Sequence, residues 1–120
     1  MEMEELTKVF KGLSDETRLK ILALLWDKPL CVCEIMGTLG ITQTKASRHL
    51  IYLKNAGLLT SKREDKWTEY RVREDLPDSI KEILERTINI IKESRDFQEI
   101  CKKLKEILSD STYRLKFGIE

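Results

Sequence analysis

A single histidine, His49, is present in 120 residues, and with no second one a zinc site built from histidines is excluded. Long apolar runs are missing too. The longest, ILALLW, is far too short to span a bilayer, and the opening MEMEELTKVF is acidic and amphipathic where a secretory leader would be basic and then apolar. A cytoplasmic protein with no membrane partner is expected. The chain has three cysteines, an odd number, and two of them form a tight Cys-x-Cys; in a reducing compartment this points to free thiols or metal ligands, not to a disulfide framework. A Cys-x-x-Cys beside a βαβ pattern is absent, and so is a base oriented toward a thiol, so an enzyme is not expected. The length suits one domain able to bury its own core, with no metal or cofactor needed for folding.

Net charge is only +1, but its distribution is uneven. Residues 1–40 carry a net −2, residues 41–73 a net +5 and residues 74–120 a net −2. A basic middle between two acidic flanks is the footprint of a phosphate-binding face.

Leu6, Val9, Phe10 and Leu13 recur at i, i+3, i+4 and i+7, which predicts a one-sided helix ending near Gly12. Ser14 then reads as an N-cap with Asp15 and Glu16 in the first turn, and residues 15–26 as a buried central helix. Asp27, Lys28 and Pro29 make a turn. Val32, Ile35, Met36 and Leu39 form the next stripe, closed by Gly40. Thr42 caps a further helix with the inward stripe Ala46, His49, Leu50 and Leu53, stopped by Gly57; His49 is therefore a core residue. Two helices joined by a short glycine-containing turn make a helix-turn-helix. Past Gly57 the period falls from 3.6 to 2, predicting a β-hairpin wing with a Glu64-Asp65-Lys66 tip and Thr68, Tyr70 and Val72 on one face.

From Pro77 onward Ile80, Ile83, Leu84, Thr87, Ile88 and Ile91 make one helical stripe, and Phe97, Ile100, Cys101, Leu104, Ile107 and Leu108 a second. The phase slips near Ser94, so two helices or one kinked helix are expected. The last ten residues alternate at Tyr113, Leu115, Phe117 and Ile119, which reads as an extended tail. The expected fold is mainly α with a small β-hairpin. It is a winged helix-turn-helix over residues 1–93, with residues 94–120 adding a helix and the tail to the same domain. The apolar faces of the N- and C-terminal helices exceed what so small a domain needs, and a homodimer through them is the simplest way to bury the excess.

Three motifs carry a family resemblance: LSDETRLKIL at 13–22, LCVCEI at 30–35 and TQTKASRHLIYLKNAGLL at 42–59. Together they resemble the ArsR/SmtB family of metal-responsive winged-helix repressors over roughly residues 4–92. SRHL followed by LxxAGL is similar to the recognition helix of that family, and LCVCE resembles the ligand box of its arsenic/antimony and cadmium/lead sensors. The resemblance implies a repressor that leaves an inverted-repeat operator in double-stranded DNA when As(III) or Sb(III) binds the Cys-x-Cys. A Cd(II) or Pb(II) sensor of the same fold is the alternative, as is a regulator with redox-sensing or silent thiols. The arsenic box of the family carries a third cysteine three residues after the second; here that position is Met36, on the core stripe.

On a helical wheel Thr44 and Arg48 face away from the stripe of their helix. With Gln43, Lys45 and Ser47 they cluster in the first two turns, the part of a recognition helix that reaches base edges in the major groove. Arg48 suits bidentate contact to guanine and Gln43 contact to adenine, while Lys62, Arg63 and Lys66 in the wing suit phosphates. Cys31 and Cys33 fall on opposite flanks of the Val32 stripe, away from the core centre, which favours ligation over packing. Soft thiolates select As(III), Sb(III), Cd(II) and Pb(II). Residues two apart on a helix point about 200° from each other, so ligation is expected to unwind the first turn after Pro29. Cys101 is the other thiol that could serve as a third ligand, although its stripe reads equally as core or dimer interface.

Overall fold

The computed structural model describes residues 1–118. Helix α1 spans Met3–Leu13 and α2 spans Glu16–Asp27. The corner between them differs by one residue from the sequence expectation. Asp15 is the N-cap of α2, its carboxylate accepting from the Arg18 amide at 3.0 Å, while Ser14 closes α1 by donating its hydroxyl to the Lys11 carbonyl. A carboxylate caps the positive end of a helix at least as well as a hydroxyl, which leaves the serine free to satisfy the preceding helix. Arg18 binds the α1 end to the rest: Nε donates to the Gly12 carbonyl, Nη2 to the Lys11 carbonyl, and the guanidinium stacks 4.1 Å from the Tyr52 ring centroid.

A two-residue strand β1, Leu30–Cys31, precedes α3, Val32–Leu39. Gly40 ends α3 at φ 64°, in the left-handed region, and the chain turns into α4, Gln43–Asn55, capped by Thr42. Strands β2, Leu59–Glu64, and β3, Trp67–Val72, form the hairpin. Glu64 belongs to β2, paired with Trp67, so the tip is Asp65 and Lys66 alone. The sheet order is β1-β3-β2, all antiparallel, with Leu30 opposite Tyr70 and Cys31 opposite Glu69. This third strand escaped the periodicity reading because two residues cannot display a period.

Helices α5, Asp78–Lys92, and α6, Arg95–Ser109, are separate, with the Ser94 hydroxyl capping α6. The core joins Ile21 to Leu25 of α2 with Ile35, Leu50, Leu53, Leu58, Tyr70, Ile80, Leu84 and Ile88. Helix α6 lies on α3 of its own chain and buries Phe97 and Ile107. The expected extended tail is corrected to a short helix α7, Tyr113–Phe117. An isolated strand here would lack a hydrogen-bonding neighbour, whereas the Asp110 carboxylate accepts from the Thr112 amide and hydroxyl and starts a turn. The spacing that suggested alternation also places Tyr113 and Phe117 four apart, and their ring centroids stand 4.8 Å from each other. Ile119, the last residue of that pattern, lies outside the described residues. No helix among the described residues is long and apolar enough to cross a membrane.

Candidate functional site

Cys31 is not on the helix. It is the N-cap of α3, with extended backbone at φ −85° and ψ 161°, held there by pairing with β3. Cys33 lies in the first turn. The change of backbone direction between them swings the two sulfurs together, and Sγ to Sγ is 2.7 Å. The expectation of opposite flanks is thus overturned, because it assumed helical geometry one residue too early. The expectation of a site away from the core is corrected as well: Cys31 is 0% and Cys33 1% exposed. A hydrogen bond with Cys33, reinforced by burial, pushes the Cys31 thiol well above its ordinary range.

Glu34 organises the turn. It is buried, and its Oε1 accepts from the Cys31 amide at 2.9 Å, fixing the N-cap by the reach-back of a capping box. The same oxygen accepts from Arg114 Nη2 at 3.0 Å, and that guanidinium also lies 3.5 Å from Glu69 of β3. Tyr113 donates its hydroxyl to the Cys33 carbonyl at 3.0 Å, and Trp67 of the wing donates its indole N–H to the Arg114 carbonyl at 3.0 Å. Helix α7 therefore rests across the thiol turn. The capping-box spacing of Glu34 to Cys31 was readable in the sequence, but nothing there joins residues 113 and 114 to residues 33 and 34.

The other sequence candidates separate. Cys101 is exposed on α6, its electrostatic neighbours being Asp27 and Lys92, and among the described residues no group of three or more histidine, cysteine, aspartate or glutamate side chains forms a metal-binding cluster. Within one chain, then, Cys101 is not brought to Cys31 and Cys33. Met36 is half-buried against the core. His49 is buried, with Nδ1 3.3 Å from Arg18 Nη1, and burial holds its pKa below the ordinary 6.5.

Gln43, Thr44, Lys45 and Arg48 are exposed over the first two turns of α4, and Ser47 is half-buried beside them. Lys62, Arg63 and Lys66 are exposed on the wing; Lys62 pairs with Glu64 at 3.0 Å and Arg63 donates to Thr68 at 3.1 Å. Lys54, unconsidered in the sequence, donates to Ser61 at 2.7 Å and ties α4 to the hairpin.

Comparison with known proteins agrees with this architecture. The family model described as a bacterial regulatory protein of the arsR family matches residues 15–61, from the cap of α2 into β2. The chain is 43% identical over 81 residues to the arsenic resistance transcriptional regulator ArsR2 of Pseudomonas putida, covering 67% of this chain and 70% of that protein. It is 35% identical over 83 residues to a cadmium resistance transcriptional regulatory protein CadC homolog of Staphylococcus aureus, covering 68% and 66%. Among solved structures, the homodimeric winged helix-turn-helix DNA-binding domain of a possible ArsR-family regulator from Mycobacterium bovis superposes with a TM-score of 0.64 at 27% identity, covering 76% of this chain and 82% of that one. The antimony-specific transcriptional repressor AntR does so with 0.61 at 27%, covering 77% and 81%. A winged helix-turn-helix with a thiol pair at the head of its first helix, matched in sequence over most of that unit, belongs to the arsR family of bacterial regulatory proteins, whose members are DNA-binding transcriptional regulators and not enzymes.

Proposed function

We propose that this protein is a homodimeric repressor that binds an inverted-repeat operator through α4 and the wing of each subunit and releases it when As(III) or Sb(III) joins Cys31 and Cys33. The observation that carries this reading is the convergence of two buried sulfurs at the start of α3, the helix packed directly on α4. Two thiolates sharing one ion with bonds near 2.3 Å stand about 3.3 to 3.8 Å apart, so the pair must spread by roughly 1 Å rather than rotate through a helical turn. No unwinding of α3 is required. Arsenous acid condenses with two thiols by forming two As–S bonds and breaking two As–O bonds; two water molecules leave and no electron is transferred. The spreading sulfurs and the third arsenic substituent need room that the packed turn lacks, and displacing α3 tilts Gln43, Thr44, Lys45, Ser47 and Arg48 away from the base edges, and with them the phosphate contacts of Lys62, Arg63 and Lys66 are lost. DNA and effector are then linked by a coupling free energy on the order of a few kcal/mol.

The test is titration of the reduced protein on operator DNA with As(III), Sb(III), Cd(II), Pb(II) and Zn(II), following DNA release together with thiolate charge-transfer absorbance. As(III) and Sb(III) should release DNA from the parent but not from the Cys31→Ser, Cys33→Ser double variant; release from that variant would place the sensor elsewhere. A Cd(II) or Pb(II) sensor is the second reading, favoured by the likeness to the cadmium resistance regulator. It needs more donors than two thiols, so Cys101 from a partner subunit would have to contribute, and Cys101→Ser would abolish the Cd(II) response alone.

A further inference from the structure

Helix α6 brings the chain back over α3, and α7 then closes on the thiol turn through two bonds, Tyr113 hydroxyl to the Cys33 carbonyl and Arg114 guanidinium to Glu34, while a third, Trp67 indole to the Arg114 carbonyl, ties it to the wing. Two glycines make this closure possible. A Cβ on Gly37 of α3 would strike the Tyr113 hydroxyl and come within 2.9 Å of Ile107, and a Cβ on Gly118 would strike the Trp67 indole and the Arg114 carbonyl. These contacts seat α7 directly against α3 and the wing, beside two thiols that are closed to solvent. Leu115, on the face of α7 turned away from Tyr113, is exposed, and so is much of Phe117 although its ring stacks on Tyr113, so this short helix is held by its polar contacts and by Tyr113 more than by burial of its own apolar side chains.

We propose that α7 is a cover over the Cys31 and Cys33 site, with Arg114 as the positioning residue that latches it to both the thiol turn and the wing. Access to the thiols requires the cover to lift, and an effector whose third substituent occupies its place keeps it lifted. The size of that substituent is then limited only by how far α7 swings, and the loss of the Trp67 bond carries the event to the wing. The effector half of this inference rests on the proposed As(III) or Sb(III) reading; the cover itself does not.

The experiment measures the rate at which dithiobis-nitrobenzoate modifies Cys31 and Cys33 in a Cys101→Ser, Trp26→Phe background, where the exposed third thiol is silent and Trp67 alone fluoresces. Arg114→Ala and Gly118→Ala should each speed the reaction about tenfold or more, since local opening and not global unfolding limits it. Arg114→Lys, which keeps the charge but one donor arm, should fall between parent and alanine. Leu84→Val, a loss of core stability away from α7, should leave the rate unchanged. Adding arsenite to the parent should shift Trp67 emission to the red as its partner leaves. Parent-like rates in both Arg114→Ala and Gly118→Ala would overturn the cover, as would equal acceleration in Leu84→Val. Should Arg114→Ala fail to fold, Gly118→Ala decides alone, because it touches no buried charge. Fast modification in these variants combined with no arsenite-induced DNA release would leave the cover standing and sink the effector reading.

Discussion

Cys31 holds its proton tightly because its partner thiol shares a hydrogen bond with it in a site closed to water, and under the proposed function this sets how each effector would respond to pH. Its pKa is raised, so around neutrality the group enters the reaction as a thiol. Arsenous acid takes two thiols and returns two waters with no net proton, whereas Cd(II) must expel the protons it replaces. As(III) affinity should therefore be nearly flat between about pH 6 and 8, and Cd(II) affinity should rise by up to about tenfold per pH unit for each proton released. Isothermal titrations across that range check it, and equal slopes would contradict a protonated Cys31. His49 responds in the opposite structural sense. Burial lowers its pKa, so the unfolded chain binds the proton more readily, and stability present above pH 6.5 is lost as pH falls through the depressed folded value. Urea midpoints at descending pH should show this, with His49→Gln flattening the slope. On α4, Arg48→Ala should cost about 1 to 3 kcal/mol of operator affinity and blur one base pair, and Lys66→Ala should weaken all sequences alike and lower the salt slope by about one. Unchanged binding and salt slopes in both would remove these residues from the DNA face.

Among the elements, the turns decide most. Gly40 sits at φ 64° with nothing within 4 Å of a Cβ built there, so the cost of Gly40→Ala is backbone strain alone, about 1 to 2 kcal/mol. Asp65 at the wing tip is at φ 53°, and Asp65→Gly relieves the same strain. The two substitutions should move the urea midpoint in opposite directions; a shared direction would mean that contacts, not conformation, govern the turns. The same elements show what sequence can and cannot reveal. Helices α3 and α4 and the hairpin were legible because each shows a full period bounded by a cap or a glycine, and α1 and α5 because their apolar stripes are regular. β1 was not, and with it went the position of Cys31: a two-residue strand is defined by its pairing with Tyr70 and Glu69, some forty residues away in sequence. The tail failed for a related reason, since Tyr113, Leu115 and Phe117 satisfy alternation on paper but meet no strand in space.

At the scale of the molecule, α6 lies on α3 of the same chain, so the proposed dimer is assigned to the α1 and α5 surfaces. Phe10 is 51% and Ile90 71% exposed in the single chain. Phe10→Glu and Ile90→Glu should each shift the protein toward monomer in sedimentation and weaken operator binding, since a dimer sets its two recognition helices about 34 to 36 Å apart. A monomeric parent that still binds operator tightly would end the dimer proposal. The sequence by itself determined the winged helix-turn-helix, the outward face of α4, the basic wing and the buried His49, because all of these follow from local period, capping and charge. Tertiary structure alone decided that the two thiols meet, that Cys101 stands apart from them, and that α7 closes over them. Each of these depends on contacts between segments tens of residues apart, where chain path and not local propensity determines which side chains become neighbours.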